Sequence, residues 1–212
     1  MASIGDFAFA DCSNLTNITI GKGVTSIGDY AFYGCSGLES ISVFDENTKY
    51  CSKENCLIET ETKTLILGCN NSIVPNDNSV TSIGDYAFYG CSGLTGELII
   101  PDSVTSIGDS AFHGCGGLTS VTIGKGVTSI GYGMFNDCSG LTNVTIGENV
   151  SNIGYHAFYG CTSLENVEFK DTTTWFKAST YTDMENRKGE LVDVSNSANN
   201  AKIISDCYWY KI

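Results

Sequence analysis

Cysteines are the residues of this chain whose number and spacing most readily suggest chemistry. There are ten among 212 residues, and six occupy one position of a repeated motif: Cys12, Cys35, Cys91, Cys115, Cys138 and Cys161. Free cysteine is small and among the most buried residue types, so we expect this column to be a stack of buried thiols. No C-x-x-C pair occurs, which argues against a zinc site.

The other four cysteines, Cys51, Cys56, Cys69 and Cys207, lie outside the repeated position. Cys56 and Cys69 flank two predicted strands and are candidates for a disulfide across them. The sequence leaves open whether any of these four cysteines is oxidised.

A second column consists of carboxylates, at Asp6, Asp29, Asp85 and Asp109. Each precedes an A-F pair by one or two residues, where we expect it to accept amide protons at the start of a short helical turn. A calcium site is the alternative. It is disfavoured because the segment lacks the alternating D-x-D pattern of calcium loops, and because Tyr132 and Tyr155 replace aspartate in the last two copies. We therefore expect no metal.

Catalysis has no set of residues to support it. The two histidines, His113 and His156, stand at positions that vary between the repeats. No nucleophile elbow, H-E-x-x-H or phosphate-binding loop occurs. The sequence predicts a protein that is not an enzyme and needs no cofactor.

These columns belong to a repeat of 23 residues, seen where SIGDFAFADCSNL at Ser3 is followed by SIGDYAFYGCSGL at Ser26. Further copies begin at Ser82, Ser106, Ser129 and Asn152. Each copy contains a stretch such as 118–123, whose apolar and polar residues alternate like those of a strand with one buried face. The G-D-x-A-F segment is expected to be a short helix or 3₁₀ turn.

One such unit cannot bury its apolar residues alone, but stacked copies bury them as columns of isoleucine, phenylalanine and leucine. The predicted fold is an α/β solenoid of roughly seven coils. Residues 1–174 are expected to form the solenoid, in which 49–81 is an enlarged coil with a projecting β-hairpin. Residues 175–212 contain both tryptophans and are expected to form the C-terminal cap, with a strand at 190–194. No comparable cap precedes Ser3, so we expect this end to be cut by truncation or by processing.

Composition narrows the choice of partners. The formal net charge is −13, which argues against nucleic acid and anionic membrane surfaces because both repel an acidic chain. No run of eighteen apolar residues occurs, so membrane insertion is not expected. The first residues lack a basic region followed by an apolar stretch, so we do not expect them to be a signal peptide. The protein is then either intracellular, or a mature or truncated piece of an exported protein.

The repeated string L-x-x-[IV]-x-I-x-x-x-V-T-S-I-G-x-x-A-F-x-G-C-x-x-L resembles the BspA-like leucine-rich-repeat family. Matching stretches include 118–123, 127–131 and 157–161, and the long unit and the tail ending Tyr208-Trp209-Tyr210-Lys211 look like that family as well. The resemblance implies a right-handed leucine-rich-repeat superhelix with a parallel β-sheet on its concave face. It also implies a cell-surface or secreted protein of host-associated microbes, linked to adhesion and without catalytic residues.

Polar strand positions are the best candidates for ligand contact, because they present many hydroxyl and amide groups. The predicted ligand-binding residues are Thr119, Ser120, Thr122, Thr142, Asn143, Thr145, Glu165, Asn166 and Glu168, together with Tyr89, His113 and Tyr159. We expect a monomeric binding or adhesion module whose strand-lined face recognises a protein or glycan. A solvated face that binds nothing, in a structural spacer, is the alternative.

Overall fold

Stacked coils form one solenoid of about seven turns. The computed structural model describes residues 2–205 and 207–211. Its strands are β1 (Ala2–Ile4), β2 (Asn17–Ile20), β3 (Val24–Ile27), β4 (Ser40–Val43), β5 (Tyr50–Lys53), β6 (Cys56–Glu59), β7 (Thr64–Leu67), β8 (Ser82–Ile83), β9 (Gly96–Ile100), β10 (Ser106–Ile107), β11 (Leu118–Ile123), β12 (Ser129–Ile130), β13 (Asn143–Ile146), β14 (Asn152–Ile153), β15 (Asn166–Phe169), β16 (Trp175–Ala178), β17 (Glu190–Val192) and β18 (Tyr208–Lys211). The helices are α1 (Tyr181–Glu185) and α2 (Ser197–Ile203).

We number the coils by the residues that compose them. Coil 1 is 3–25, coil 2 is 26–48, coil 3 is 49–81, coil 4 is 82–105, coil 5 is 106–128, coil 6 is 129–151 and coil 7 is 152–174. Each regular coil begins with a short strand, turns through a corner that ends at its cysteine, and continues into a longer strand.

The longer strands make a parallel sheet in the order β15-β13-β11-β9, with β2 and β4 paired separately in the first two coils. In β11 the buried residues Leu118, Val121 and Ile123 point into the core, and the polar residues between them are more exposed. This alternation gives the sheet one apolar and one polar face. The extra residue of coil 4 is absorbed at Gly96, where φ is 81° and the register with β11 shifts.

The corners are not helical, which corrects the expectation of helical or 3₁₀ turns there. They consist of consecutive turns, in which Cys115 donates its amide to Phe112 three residues earlier. Two positions in each corner have positive φ, for example 57° at Tyr30 and 70° at Gly34, and this breaks any helical run. The turned backbone lets alternate amides of one corner donate to carbonyls of the next coil.

Coil 3 differs from the others in both its strands and its corner. Strands β5, β6 and β7 form an antiparallel meander, and β7 then pairs parallel with β8 of coil 4. Leu57, Ile58 and Leu65 are at most 1% exposed. Strands β6 and β7 form the predicted hairpin, whose turn at 60–63 is exposed. The apolar residues of the hairpin strands lie within the stack and do not project from it, and they fill the core of a coil that has no strand in the β9–β15 sheet.

Residues 175–211 cover the apolar cross-section at the end of coil 7. Strand β18 pairs antiparallel with both β14 and β16, and β17 pairs with β16. Trp175 and Trp209 are fully buried. Asn200 of α2 donates from its side chain to the carbonyl oxygens of Val167 and Val194, which joins this helix to β15.

Like residues stack on like within coils 1 and 2 and within coils 4 to 7. The rings of Phe112, Phe135 and Phe158 lie parallel, with successive centroids 5.5 Å apart. All three are at most 1% exposed, whereas Phe9 of coil 1 is 41% exposed. Among the described residues, no helix is long and apolar enough to cross a membrane.

Candidate binding surface

The polar face of the β9–β15 sheet, here called the strand face, is built by register. Residues at equal positions of successive coils form rows across the strands. One row is Glu97, Ser120, Asn143 and Asn166, and the next is Ile99, Thr122, Thr145 and Glu168. Six of the predicted ligand-binding residues therefore lie side by side on one continuous surface.

Hydrogen bonds between side chains join neighbouring strands of this face. Asn166 donates from Nδ2 to Oδ1 of Asn143 at 3.1 Å, and Thr122 donates from its hydroxyl to the carboxylate of Glu97 at 3.3 Å. These bonds fix the orientation of the amide and hydroxyl groups before any partner arrives. A surface with fixed polar groups loses less conformational entropy on binding.

The predicted residues Thr119, Thr142 and Glu165 lie where the chain enters the strands. Thr142 donates its amide and its hydroxyl to the carbonyl of Thr119, and Glu165 donates its amide to Thr142. Thr119 and Glu165 are exposed, and Thr142 is half-buried. They extend the strand face along one border, although the hydroxyl of Thr142 already donates a hydrogen bond to the neighbouring coil.

The cap borders the strand face at its acidic end. Ser197 of α2 donates from its hydroxyl to Oδ1 of Asn166 at 3.4 Å. Glu168 lies beyond it and forms an ion pair with Lys170 at 2.7 Å. The charge of Glu168 is therefore partly neutralised.

The structure places Tyr89, His113 and Tyr159 at the corners, apart from the strands. In each of their coils the cysteine and leucine positions of the repeat stand between the corner and the strand. Tyr89 stacks on His113 with ring centroids 4.8 Å apart, whereas Tyr159 packs with His156 at 4.7 Å. Asn136 occupies the same column between His113 and Tyr159, so the predicted aromatic residues form two groups.

Sequence reasoning missed two residues of the strand face, Glu97 and Ile99. Coil 4 is one residue longer than its neighbours, and this obscured the alignment of GELII with LTSVTI. Aligning Leu98 with Val121 would have placed Glu97 and Ile99 on the strand face. Ile99 is 56% exposed and Ile73 is 67% exposed. Both line a groove of about 720 Å³ between the segment 72–77 and β9, which adds an apolar end to the polar face.

The cysteine column is a stack of buried thiols, as predicted, from Cys35 onward. The thiol of Cys138 donates to the carbonyl of Phe112 at 3.1 Å, and the thiol of Cys161 donates to Phe135 at 3.1 Å. Burial raises the pKa of Cys91 and of Cys161 to about 12. These thiols are therefore protonated at neutral pH and unreactive.

The structure does not confirm the predictions for Cys12 and for the pair Cys56 and Cys69. Cys12 in the first coil is exposed. No disulfide joins Cys56 to Cys69, because the thiol of Cys56 donates to the carbonyl of Ile73 and that of Cys69 to the carbonyl of Asn55. Both thiols satisfy polar backbone atoms where the chain leaves the regular stack.

Three of the four aspartates of the column bind amides, but not those of their own turn. Asp6 accepts the amide of Asp29, Asp85 that of Asp109 and Asp109 that of Tyr132, in each case from the following coil. The expected helix cap is therefore an inter-coil bond. Among the described residues, no three His, Cys, Asp or Glu side chains are grouped to hold a metal ion.

Comparison with known proteins agrees with this architecture. The BspA type leucine-rich-repeat region matches residues 1–72 and 62–188 in six copies. The chain therefore belongs to the BspA-type leucine-rich-repeat family. No curated protein matches the chain.

Solved structures show the same fold. A leucine rich cell surface protein of Faecalibacterium prausnitzii is 31% identical with a TM-score of 0.68, over 78% of this chain and 44% of that one. A leucine-rich repeat protein of Eubacterium ventriosum is 25% identical with a TM-score of 0.60, over 79% and 52%. The pneumococcal vaccine antigen PcpA, at 22% identity and a TM-score of 0.69 over 80% and 42%, shares the fold. The chain thus spans about half the length of these proteins or less.

Proposed function

We propose that this chain is a non-enzymatic binding module of a cell-surface or secreted protein, and that it recognises a protein or glycan through the strand face. The observation that carries the proposal is the continuous array of outward hydroxyl, amide and carboxylate groups in register over four strands. Such an array offers many hydrogen-bond donors and acceptors on a rigid support. The F. prausnitzii relative, described as a cell surface protein, supports the location.

Charge narrows the chemistry of the partner. With a net charge of −13, the chain attracts basic surfaces, does not repel neutral ones and repels nucleic acid. Ile73 and Ile99 beside the groove supply the apolar contacts that stable interfaces need in addition to hydrogen bonds. We expect a single chain to carry the complete surface, because all the rows lie within one protomer.

A binding screen followed by matched lysine variants tests the proposal. The purified chain is applied to a glycan array and to immobilised extracellular-matrix proteins, and every ligand found is titrated. Thr122→Lys places a bulky charge in the middle of the strand face and should weaken binding at least tenfold. Thr128→Lys, an exposed position of the same coil outside the strand face, is the control and should bind like the wild type.

A structural spacer is the second candidate. The bonds from Asn166 to Asn143 and from Thr122 to Glu97 favour it, because they commit part of the polar surface to holding coils together. If no ligand binds, or if Thr122→Lys and Thr128→Lys bind equally, the face serves cohesion and the spacer is the better description.

A further inference from the structure

A cleft opens at the corner side of the solenoid because coil 3 lacks a full corner. Leu65 of coil 3 pairs with Ile83 of coil 4. From there coil 4 runs through 84–90 before its cysteine, but coil 3 reaches Cys69 through 66–68 only. Coils 2 and 4 therefore face each other across a gap of about 320 Å³. It is lined by Asp29, Tyr30, Tyr33, Ile66, Asp85 and Tyr86, among others.

Backbone groups on the walls of this cleft lack the partners that every regular junction provides. In coil 4, for example, Tyr86 donates its amide to Asp109 and Phe88 donates to Ala111 of coil 5. The same pairing recurs between coils 1 and 2, 5 and 6, and 6 and 7. Within residues 2–205 and 207–211, the equivalent amides of Tyr30 and Phe32 in coil 2 donate to no acceptor.

Two hydrogen-bond acceptors of the cleft also have no donor among the described residues. Asp6, Asp85 and Asp109 each bind the amide of the following coil, but the following coil is absent at the corner beyond Asp29. Among the described residues, no hydrogen bond or ion pair reaches the Asp29 carboxylate, and none reaches the carbonyl of Asp85. Phe32 is 7% exposed, and its unpaired amide belongs to a cleft wall that also contains the exposed residues Asp29 and Tyr30. Unpaired polar groups in such a position favour a ligand that satisfies them.

Aromatic rings complete the site. Tyr30, Tyr33 and Tyr86 contact one another, with centroids 5.3 Å apart for Tyr30 and Tyr86 and 5.5 Å apart for Tyr33 and Tyr86. They border the cleft, and Ile66 and Leu67 line it from coil 3. Among the described residues, no lysine or arginine lines it. The cleft therefore presents aromatic surface, amide donors and carboxylate acceptors without positive charge.

These features select one class of ligand. An anion would face Asp29 and Asp85 with no cation to neutralise it. An ammonium ion would match the carboxylates but offers no acceptor to the amides of Tyr30 and Phe32. A sugar hydroxyl both donates and accepts, and the C–H face of a pyranose ring packs well on an aromatic ring. We propose that this cleft binds one neutral pyranose unit, independently of the strand face. Its volume is at the small end of ligand pockets, which begin at about 300 Å³.

Saturation-transfer NMR tests the site directly. The probes are glucose, galactose, mannose and N-acetylglucosamine at millimolar concentration, with tetramethylammonium as the cationic comparison. We expect transfer to the ring protons of at least one sugar. Asp29→Ala removes the unpaired carboxylate and should weaken binding about tenfold, and Tyr30→Ala should weaken it as well.

Asp109→Ala is the matched control in the same column. The Asp109 carboxylate binds the amide of Tyr132, away from the cleft, so this variant should melt at a lower temperature and bind sugar normally. Asp29→Ala should melt like the wild type, because its carboxylate bonds to no described residue. Thr122→Lys, which tests the strand face, should leave sugar binding unchanged. The proposal is overturned if no sugar shows transfer, if sugar binding survives Asp29→Ala, or if only tetramethylammonium binds.

Discussion

Truncating one ring of the phenylalanine stack measures how much each coil depends on its neighbours. Phe135 is fully buried, and its ring centroid lies 5.5 Å from those of both Phe112 and Phe158. Phe135→Ala removes a buried ring and leaves a cavity that the stacked backbone on either side cannot close. Buried Phe→Ala changes cost about 3–5 kcal/mol, and we expect the upper half of that range because two aromatic contacts are lost.

Phe9→Ala is the matched comparison in the same column. Phe9 is 41% exposed and stacks on one neighbour only, Phe32, at 5.3 Å. Its replacement should cost about 1 kcal/mol. The free energy of unfolding is measured by urea titration with circular dichroism. Native-state hydrogen exchange reports the coils separately, because solenoids can unfold in parts. Equal losses for the two variants would refute the idea that stability rests on rings stacked from both sides.

Three further predictions concern the glycine column, the cap and the thiols. Gly108→Ala should destabilise the protein by about 2–3 kcal/mol in urea titrations, because its methyl group would lie 2.4 Å from the backbone nitrogen of Asp85. Gly84→Ala should be nearly neutral, because beside the shortened corner of coil 3 its nearest contact is at 3.5 Å. Similar losses of stability for both variants would contradict the close packing of corners. Asn200→Ala removes both bonds from α2 and should lower stability by about 2–3 kcal/mol, with increased hydrogen exchange in the cap, while the exposed Asn199→Ala should change little. Thermal stability should fall as the pH rises above 9: burial raises the pKa of Cys56, Cys91 and Cys161 from 9.0 to about 12, so the unfolded chain ionises first and the stabilisation is lost between these values. Melting temperatures measured from pH 7 to 11 check this, and a flat profile would contradict it.

Periodic positions made much of the fold predictable from the sequence. The columns of Ile, Phe, Leu and Cys recur at one spacing, and burial follows from stacking. The buried thiols of Cys115 and Cys138 are a direct consequence of this. The rows of the strand face also follow, because a strand in every coil places Ser120, Asn143 and Asn166 in register.

Features that depend on backbone conformation were harder to predict from the sequence. A G-D-x-A-F segment has the length of a helical turn, and only the positive φ at residues such as Tyr30 and Ser110 shows that it turns instead. The sequence predicted that Asp109 accepts an amide proton, but it did not show that the donor belongs to the next coil. The cleft between coils 2 and 4 left a sequence signal, because residues 49–81 contain no A-F-x-G-C string. Its walls come from coils that are far apart in the chain.

Titration of a ligand identified by the screen against strand-face and control variants shows whether the strand face is the binding surface. Thr145→Lys lies in the strand face, between Thr122 and Glu168 of its row. Ser129→Lys introduces the same charge at an exposed polar position of the short strand β12, which belongs to the sheet that also contains β14 and β18. We expect at least a tenfold loss of affinity for Thr145→Lys and wild-type affinity for Ser129→Lys. Wild-type affinity for Thr145→Lys, or an equal loss in both variants, would contradict it.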